Sequence, residues 1–539
     1  MAGPLRRLGA NARHAGRLVA ARFALGRRAP FWLALRLAPP LDETRGAGWP
    51  FARGRAPSLL EALRALDAAA RDERVAGVFV RLAGAPLGFA AAASLRRALD
   101  AVRAARKPVA AYGERIHQAE YQVASGADRL WLPESGSLGL VGLRSEGFYL
   151  SRLLSRLDVR ADVVRIGTHK TAGETLTRES MSPESREQLE GYLDDTFGAL
   201  VAAIAAGRGV DPAAVRERID SGPYAAPAAV EAGLADGCLY PDQLEESLVG
   251  LAPDTQEASA RPGPARARLV DAIAYDALYA ADPGWRPLRG DLPHVAYVAA
   301  SGAIHRRLAL GGISVESLAA LLRRLGEDAG VRGIVLRITS PGGDALASDL
   351  LWRALSVAKR EKPLVVSMGE VAASGGYLAA VAADSVFAEA ATLTGSIGVI
   401  GGKLDLGGLY DRLGVGRDAV ERGRRAGLLT DARGFTPDER AAVRREMEAV
   451  YDVFLRRVEQ GRKLARPELE RVAQGRIWSG ARALGLRLVD ALGGPLEAIR
   501  EVRARAGLAV GEPAVLDVFP RGVSWEALRS LLGRSESVR

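Results

Sequence analysis

Short runs of apolar and β-branched residues alternate with stretches of helical period along most of this chain. Residues 331–338, Val-Arg-Gly-Ile-Val-Leu-Arg-Ile, are strand-like. Residues 345–359 carry apolar side chains at positions 346, 350, 354, 355 and 358, which is the period of a helix, and residues 364–368 are again apolar. This order of strand, helix and strand predicts an α/β fold in which stacked, mostly parallel sheets are surrounded by helices.

The same pattern occurs twice. Residues 75–81 match residues 331–337, and the opening run 31–37 matches residues 294–300. Single positions match as well: Gly113, Glu114, Tyr121, Asp128 and Gly167 fall on Gly369, Glu370, Tyr377, Asp384 and Gly423. We therefore predict an N-terminal repeat over residues 30–250 and a C-terminal repeat over residues 269–510.

The remaining stretches have the composition of connecting segments. Residues 251–268 are rich in Pro, Gly and small polar residues and predict a linker between the repeats. Residues 1–29 form a basic N-terminal segment and residues 511–539 a C-terminal tail. The long, charged helical stretch that begins at Pro437 predicts a solvated or subunit-contact helix.

The composition of the chain argues against several kinds of site. The chain has 539 residues, enough for two sizeable cores. Its single cysteine, Cys238, excludes an intramolecular disulfide, and its five histidines are scattered without the spacing of metal ligands. We therefore expect neither a metal nor a cofactor.

The net charge of +10 is concentrated at the N-terminus, where residues 1–28 contain seven arginines and no acidic residue. Apolar residues recur there at steps of three and four and share one helical face: Leu5, Leu8, Ala12, Ala15, Val19 and Phe23. This pattern predicts an in-plane helix on an anionic membrane surface, with a disordered basic tail as the alternative. No uncharged apolar run is long enough to span a bilayer. A nucleic-acid partner is not expected, because no recognised reader motif is present.

Ser374 is the strongest candidate for chemistry. It follows the strand-like residues 363–368 and precedes an Ala-rich helical stretch at residues 377–383. A serine at a helix N-terminus, surrounded by small residues, is open to a substrate, and the free N–H groups of the first turn can receive an oxyanion. No Ser-His-Asp set is evident, so another residue must deprotonate the serine.

Differences between the repeats indicate which residue deprotonates Ser374. Ser374 aligns with Gln118, and the run Ser340-Pro-Gly-Gly343 aligns with residues 84–87, where Pro86 has no N–H to donate. Lys170 in the first repeat aligns with Ala426 in the second. The first repeat lacks the serine and the second lacks the lysine, so the two repeats together predict one composite site with a Ser-Lys dyad. Burial would lower the pKa of the lysine, and the neutral amine could then act as a base. The alternatives are a solvent-exposed lysine, a serine that only fills a tight contact and a glycine pair in an ordinary turn.

Four motifs resemble one known family. They are Ser-Pro-Gly-Gly at 340–343, Ala-Ala-Ser-Gly-Gly-Tyr at 372–377, Leu-Thr-Gly-Ser-Ile-Gly at 393–398 and Met-Ser-Pro-Glu at 181–184. Together they are similar to the long, duplicated form of signal peptide peptidase A, a serine peptidase family related in fold to Clp protease and crotonase. The resemblance covers roughly residues 30–510 and implies two tandem Clp/crotonase-like repeats.

The resemblance also implies roles for single residues. Ser374 would be the nucleophile, Lys170 the general base and Ser396 the residue that orients the lysine. Backbone N–H groups of Gly343 and Gly375 would form the oxyanion hole, and Gly342 would shape the loop.

The expected function follows from these roles. The substrates would be unfolded apolar peptides, such as signal-peptide remnants, and the chain would assemble as a ring, commonly a tetramer. It would associate with the bacterial inner membrane, peripherally on this sequence because the usual N-terminal transmembrane helix is not evident. The chain departs from the family at His169 and Thr171, where Tyr and Ser are expected. A crotonase-type acyl-CoA enzyme and an inactive peptide-binding scaffold are the alternatives.

Overall fold

The computed structural model describes residues 30–44, 56–252, 266–277, 291–307 and 312–520, together with positions 11, 12, 14–16 and 19. Most of the predicted amphipathic segment at residues 1–28, the centre of the predicted linker and residues 521–539 of the tail therefore lie outside the described residues. Within the described part, no single helix has the length and apolar composition to cross a membrane, although one bent pair of helices, Pro183–Arg208 and Pro212–Asp220, meets that test jointly.

The N-terminal repeat is built on a six-stranded parallel sheet, in the order β10-β1-β2-β3-β5-β9, and a smaller three-stranded sheet, β4-β6-β8. Its strands are β1 (Phe31–Leu37), β2 (Val75–Leu82), β3 (Val109–Gly113), β4 (Arg115–His117), β5 (Arg129–Leu132), β6 (Ser137–Gly139), β7 (Arg160–Ile166), β8 (Tyr224–Ala225), β9 (Gly237–Cys238) and β10 (Leu269–Asp271). Its helices are α1 (Leu59–Arg71), α2 (Phe89–Ala104), α3 (Gln118–Ala124), α4 (Ser151–Arg156), α5 (Glu174–Thr177), α6 (Pro183–Arg208), α7 (Pro212–Asp220), α8 (Ala226–Glu231), α9 (Leu244–Leu251) and α10 (Ala272–Tyr275).

The C-terminal repeat has the same plan. Its sheet runs β19-β17-β15-β14-β11-β21, with β16 beside β15 and β20 beside β16; among these described strands, β19 alone is antiparallel to its neighbour. Its strands are β11 (His294–Ser301), β12 (Ile304–His305), β13 (Ile313–Ser314), β14 (Val331–Ser340), β15 (Leu364–Ala373), β16 (Ser385–Ala388), β17 (Leu393–Gly395), β18 (Val399–Asp405), β19 (Ile477–Ser479), β20 (Ala491–Leu492) and β21 (Val515–Phe519). Its helices are α11 (Val315–Glu327), α12 (Ala345–Glu361), α13 (Gly375–Ala380), α14 (Gly407–Arg412), α15 (Pro437–Arg462), α16 (Arg466–Val472), α17 (Gly480–Gly485) and α18 (Pro495–Arg505).

Equivalent buried hydrogen bonds confirm the duplication. The hydroxyl of Tyr121 donates to the Leu234 carbonyl at 2.8 Å, and the hydroxyl of Tyr377 donates to the Leu488 carbonyl at 2.9 Å. Each bond ties the helix that follows the third core strand to the end of its own repeat. Because a buried hydroxyl without a partner is costly, a tyrosine fixes the same packing in both repeats.

Two predicted boundaries are wrong. Strand β10 pairs with β1 and α10 packs in the first core, so residues 269–275 belong to the N-terminal repeat and not to the C-terminal one. Strand β21 pairs with β11, so the second sheet continues past residue 510 into the predicted tail. In each repeat, the first strand pairs at its outer edge with a short strand that is distant in sequence. These short strands have three and five residues, too few for an apolar period that would have predicted the pairing.

Candidate active site

Ser374 occupies the junction of a core strand and a helix. Strand β15 continues to Ala373, beyond the predicted end at residue 368, and α13 begins at Gly375. Ser374 has φ +54° and ψ −119°, and Ser396 has φ +53°. Such backbone conformations cost non-glycine residues about 1–3 kcal/mol and are concentrated at functional sites. The Ser374 N–H donates to the Gly395 carbonyl at 2.8 Å, which holds the turn in place.

Lys170 reaches Ser374 from the other repeat. Its Nζ lies 3.0 Å from Ser374 Oγ, 2.8 Å from the Ser396 carbonyl oxygen and 3.0 Å from Ser396 Oγ. Only 5% of the lysine is exposed. The structure thus brings together, within one chain, the three side chains that the sequence singled out.

A two-stranded ladder delivers the lysine across the boundary between the repeats. Strand β7 of the N-terminal repeat pairs antiparallel with β18 of the C-terminal repeat, and Ile166 faces Val399 at the end of the ladder. Lys170 follows β7 by four residues, and Ser396 precedes β18 by three. The ladder therefore fixes the distance between the base candidate and the serine that accepts its hydrogen bonds.

Burial determines the protonation of Lys170. It lowers the pKa of the lysine from 10.5 to about 8, because the charged form loses hydration inside the protein. Among the described residues, no carboxylate lies within ion-pair distance of its Nζ to restore the charge. About a tenth of this amine is therefore neutral at pH 7, a far larger fraction than for an ordinary lysine.

The glycine loop after β14 lies against Ser374. Gly342 has φ +103°, and a Cβ there would lie 2.8 Å from both the Gly375 nitrogen and Ser374 Cβ, so only glycine fits. Its N–H donates to Ser340 Oγ. The bridge from this loop to Ile304 uses the Gly342 carbonyl and the Asp344 N–H, which leaves the Gly343 N–H unused by that contact. The Gly375 N–H belongs to the first turn of α13, where no intrahelical acceptor exists.

The equivalent position in the N-terminal repeat is closed. The Gln118 side chain donates to the Gly142 carbonyl at 2.7 Å and accepts from the Gly142 N–H at 2.9 Å. Ala426, the counterpart of Lys170, lies exposed on a loop. Of these two equivalent positions, the one in the C-terminal repeat is open.

A cavity of about 320 Å³ opens beside Ser374. Its apolar wall includes Leu378, Val399, Ile400, Val450, Val453 and Phe454. Two carboxylates, Asp344 and Asp349, also line it. Asp344 caps α12 by accepting from the Ala347 N–H, and Asp349 pairs with Arg457 at 3.1 Å.

Sequence reasoning missed the contribution of α15. The helix was predicted to be solvated or to contact a subunit, but Met447, Tyr451 and Phe454 are buried, and Phe454 lines the cavity. The recurring apolar positions 447, 451, 454, 455 and 458 were the available signal. In the described part of the chain, no group of three or more His, Cys, Asp or Glu residues is placed to hold a metal ion.

Comparisons with known proteins agree with this geometry. Residues 101–252 and 356–509, more than half of the chain, match the model of peptidase family S49. The chain is 30% identical over 454 residues to "Serine protease SPPA, chloroplastic" of Arabidopsis thaliana, covering 83% of this chain and 66% of that protein. It is 30% identical over 481 residues to "Protease 4" of Salmonella typhi, covering 86% and 75% of the two chains. It is 29% identical over 483 residues to "Protease 4" of Haemophilus influenzae, covering 87% of this chain and 75% of that protein.

The duplicated α/β fold, the serine at a helix N-terminus and these relatives define a serine peptidase. The chain belongs to peptidase family S49. The family resemblance carried by the four sequence motifs is confirmed. The catalytic roles of the individual residues stay predictions.

Proposed function

We propose that this chain is an endopeptidase in which Ser374 is the nucleophile and Lys170 the general base. The observation that carries the proposal is the 3.0 Å distance between Lys170 Nζ and Ser374 Oγ inside a buried pocket. A buried amine without a carboxylate partner is suited to act as a base, since burial disfavours its charged form.

The hydrogen bonds around Lys170 orient its lone pair. A neutral amine has two N–H bonds, and the Ser396 carbonyl and Oγ accept both. The lone pair then points to the Ser374 hydroxyl. In the proposed step, Ser374 Oγ bonds to the substrate carbonyl carbon and its proton passes to Nζ. The same proton leaves with the amine when the peptide C–N bond breaks, and water hydrolyses the ester that remains.

The N–H groups of Gly343 and Gly375 would stabilise the oxyanion of this reaction. Gly342 brings the glycine loop against the first turn of α13, so two backbone donors from different elements lie beside Ser374. Removing one such donor typically costs an enzyme about 100- to 1,000-fold in kcat.

The proposed substrates are unfolded apolar peptides, such as signal-peptide remnants, cut after small or aliphatic residues. The apolar wall beside Ser374 favours this choice, because burying apolar surface contributes about 25 cal/mol per Å². Residues 1–28 would hold the protein on the anionic inner-membrane surface of a bacterium. Deletion of residues 1–28 should abolish co-sedimentation with anionic vesicles and leave hydrolysis of a soluble peptide unchanged; retained co-sedimentation would contradict this attachment.

Copies of this chain would assemble as a ring, with four copies as the family resemblance implies. The equivalence of segments in the two repeats supports this assembly. The counterparts of the paired strands β7 and β18 are residues 416–422 and residues 140–146, and neither is in a ladder in this chain. Both regions expose apolar residues, including Val420 at 87% and Val141 at 56% exposure. A second copy could pair 416–422 with 140–146 head to tail, and repeating such a contact closes a ring.

A serine-reactive fluorophosphonate probe tests the proposed function. The wild-type protein should be labelled at Ser374 and should hydrolyse a fluorogenic apolar peptide, whereas Ser374→Ala should do neither. A crotonase-type enzyme would stabilise the enolate of a coenzyme A thioester with the paired N–H groups and would not need Ser374 or Lys170. Absence of labelling at Ser374 in the folded wild-type protein would contradict the peptidase and favour this alternative or an inactive scaffold.

A further inference from the structure

The loop that carries Lys170 is tied to the C-terminal repeat by its backbone. The His169 N–H donates to the Gln474 carbonyl at 2.8 Å, and a Cβ on Gly475 would lie 2.4 Å from the Lys170 nitrogen. The same short segment accepts, at the Arg476 carbonyl, the N–H of Ser396 at 2.7 Å. Residues 474–476 therefore lie between Lys170 and Ser396 and contact both.

Four side chains close this contact from the outside. An Nη of Arg476 lies 2.7 Å from Nε2 of His169, and its other Nη lies 2.8 Å from a Glu187 carboxylate oxygen. The second Glu187 oxygen lies 3.4 Å from the same Nε2, and Nδ1 of His169 lies 2.9 Å from Thr168 Oγ1. Since a guanidinium only donates, the shorter contact with Arg476 requires Nε2 to accept, which places the proton of a neutral imidazole on Nδ1.

A second proton on His169 would weaken this arrangement. The imidazolium would have no lone pair for Arg476, and two cations would stand 2.7 Å apart. The charged groups facing the ring are Arg476 and, from α6, Glu187 and Glu184. Glu187 already pairs with Arg476, which holds the pKa of its carboxyl below the ordinary value, and its side chain is 58% exposed. Water therefore weakens the compensation that this carboxylate could offer.

We propose that His169 and Arg476 are positioning residues that hold Lys170 and Ser396 together while the imidazole is neutral and release them when it is protonated. The proposal rests on the Ser374–Lys170 chemistry proposed above. It gives the peptidase a second proton-dependent step, separate from the titration of Lys170 itself. Acidification would therefore switch the site off more steeply than protonation of one lysine can.

The pH dependence of log(kcat/KM), measured from roughly pH 5.5 to 9, tests the proposal. With two protons to lose, the wild-type acidic limb should steepen to a slope of two, about a hundredfold per pH unit, where Lys170 and His169 are both protonated. In His169→Gln the amide oxygen can still accept from Arg476 but cannot titrate, so the limb should keep a slope of one. His117→Gln changes an exposed histidine of the N-terminal repeat and is the matched control, which should retain the wild-type slope.

Arg476→Gln tests the positioning role at high pH, where both bases are neutral. It should lower kcat about tenfold or more with little change in KM, because a displaced base affects the chemical step more than binding. A slope of two in His169→Gln, or wild-type kcat in Arg476→Gln, would overturn the proposal. If the wild-type enzyme hydrolyses no peptide, the proposed function itself fails. In that case the rate of Ser374 labelling by the fluorophosphonate replaces kcat/KM as the measured quantity. Its pH dependence in the wild type and in the same variants then tests the positioning role.

Discussion

At the residue scale, the site depends on Ser374 and Lys170, which are 204 positions apart and come from different repeats. The sequence predicted their pairing because each repeat lacks what the other has: Gln118 replaces the serine and Ala426 replaces the lysine. It could not predict the roles of Asp349 or Arg476. Their partners, Arg457 and Glu187, become neighbours only after distant elements pack together.

Lys170→Arg is the substitution that most clearly tests a base. Arginine keeps the positive charge but does not lose its proton in a protein, so hydrolysis should fall by at least about three orders of magnitude. In the wild-type enzyme kcat/KM should rise about tenfold per pH unit just below pH 8 and then level off, because protonation of Lys170 alone dominates immediately below its pKa. A Lys170→Arg enzyme with wild-type kcat/KM, or a rate that does not change with pH, would contradict a base with this pKa.

At the element scale, α6 and β19 join the repeats beside the site. Gln188 on α6 accepts from the Ile477 N–H at 3.1 Å and donates to Thr171 Oγ1 at 2.8 Å, so one amide links β19 to the lysine loop. The sequence identified central strands of both sheets, such as β2, β14 and β15, and the helices α12 and α15, since their apolar periods are strong. It could not reveal β10 or β21, which are short and are defined by the strands that they cover.

Gln188→Ala should both destabilise the protein and slow the reaction. Loss of the amide leaves a buried backbone N–H without its partner, which costs about 1–3 kcal/mol, and it loosens the loop that carries Lys170. Urea unfolding and kcat/KM should therefore change together. Gln460→Ala, at an exposed position of α15, is the control. Equal stability and activity of the two variants would show that this link does not support the site.

At the scale of the whole molecule, duplication explains why one site suffices for two repeats. The contact between β7 and β18 is made once within the chain, and its counterparts remain open at residues 140–146 and 416–422. Four copies cannot be derived from one chain, because closure of a ring depends on the angle of a contact that forms only between copies.

Charge substitutions at the open segments test this assembly. Val141→Asp and Val420→Asp should each lower the mass measured by sedimentation, since a buried carboxylate without a partner opposes the contact. Val510→Asp also places a charge at a fully exposed valine, outside both segments, and should leave the mass unchanged. A monomeric wild-type protein at micromolar concentration, or variants that keep the wild-type mass, would rule out this contact.

The most direct test of the composite site is a double-mutant cycle on peptide hydrolysis with Ser374→Ala, Lys170→Ala and the double variant. If the two side chains act as one unit across the repeats, each single substitution should reduce kcat/KM by at least about a thousandfold, and the double variant should lose no more than the worse single one. All three proteins should unfold cooperatively, like the wild type. Losses that add, or near-wild-type hydrolysis by either single variant, would contradict a Ser-Lys site shared by the two repeats.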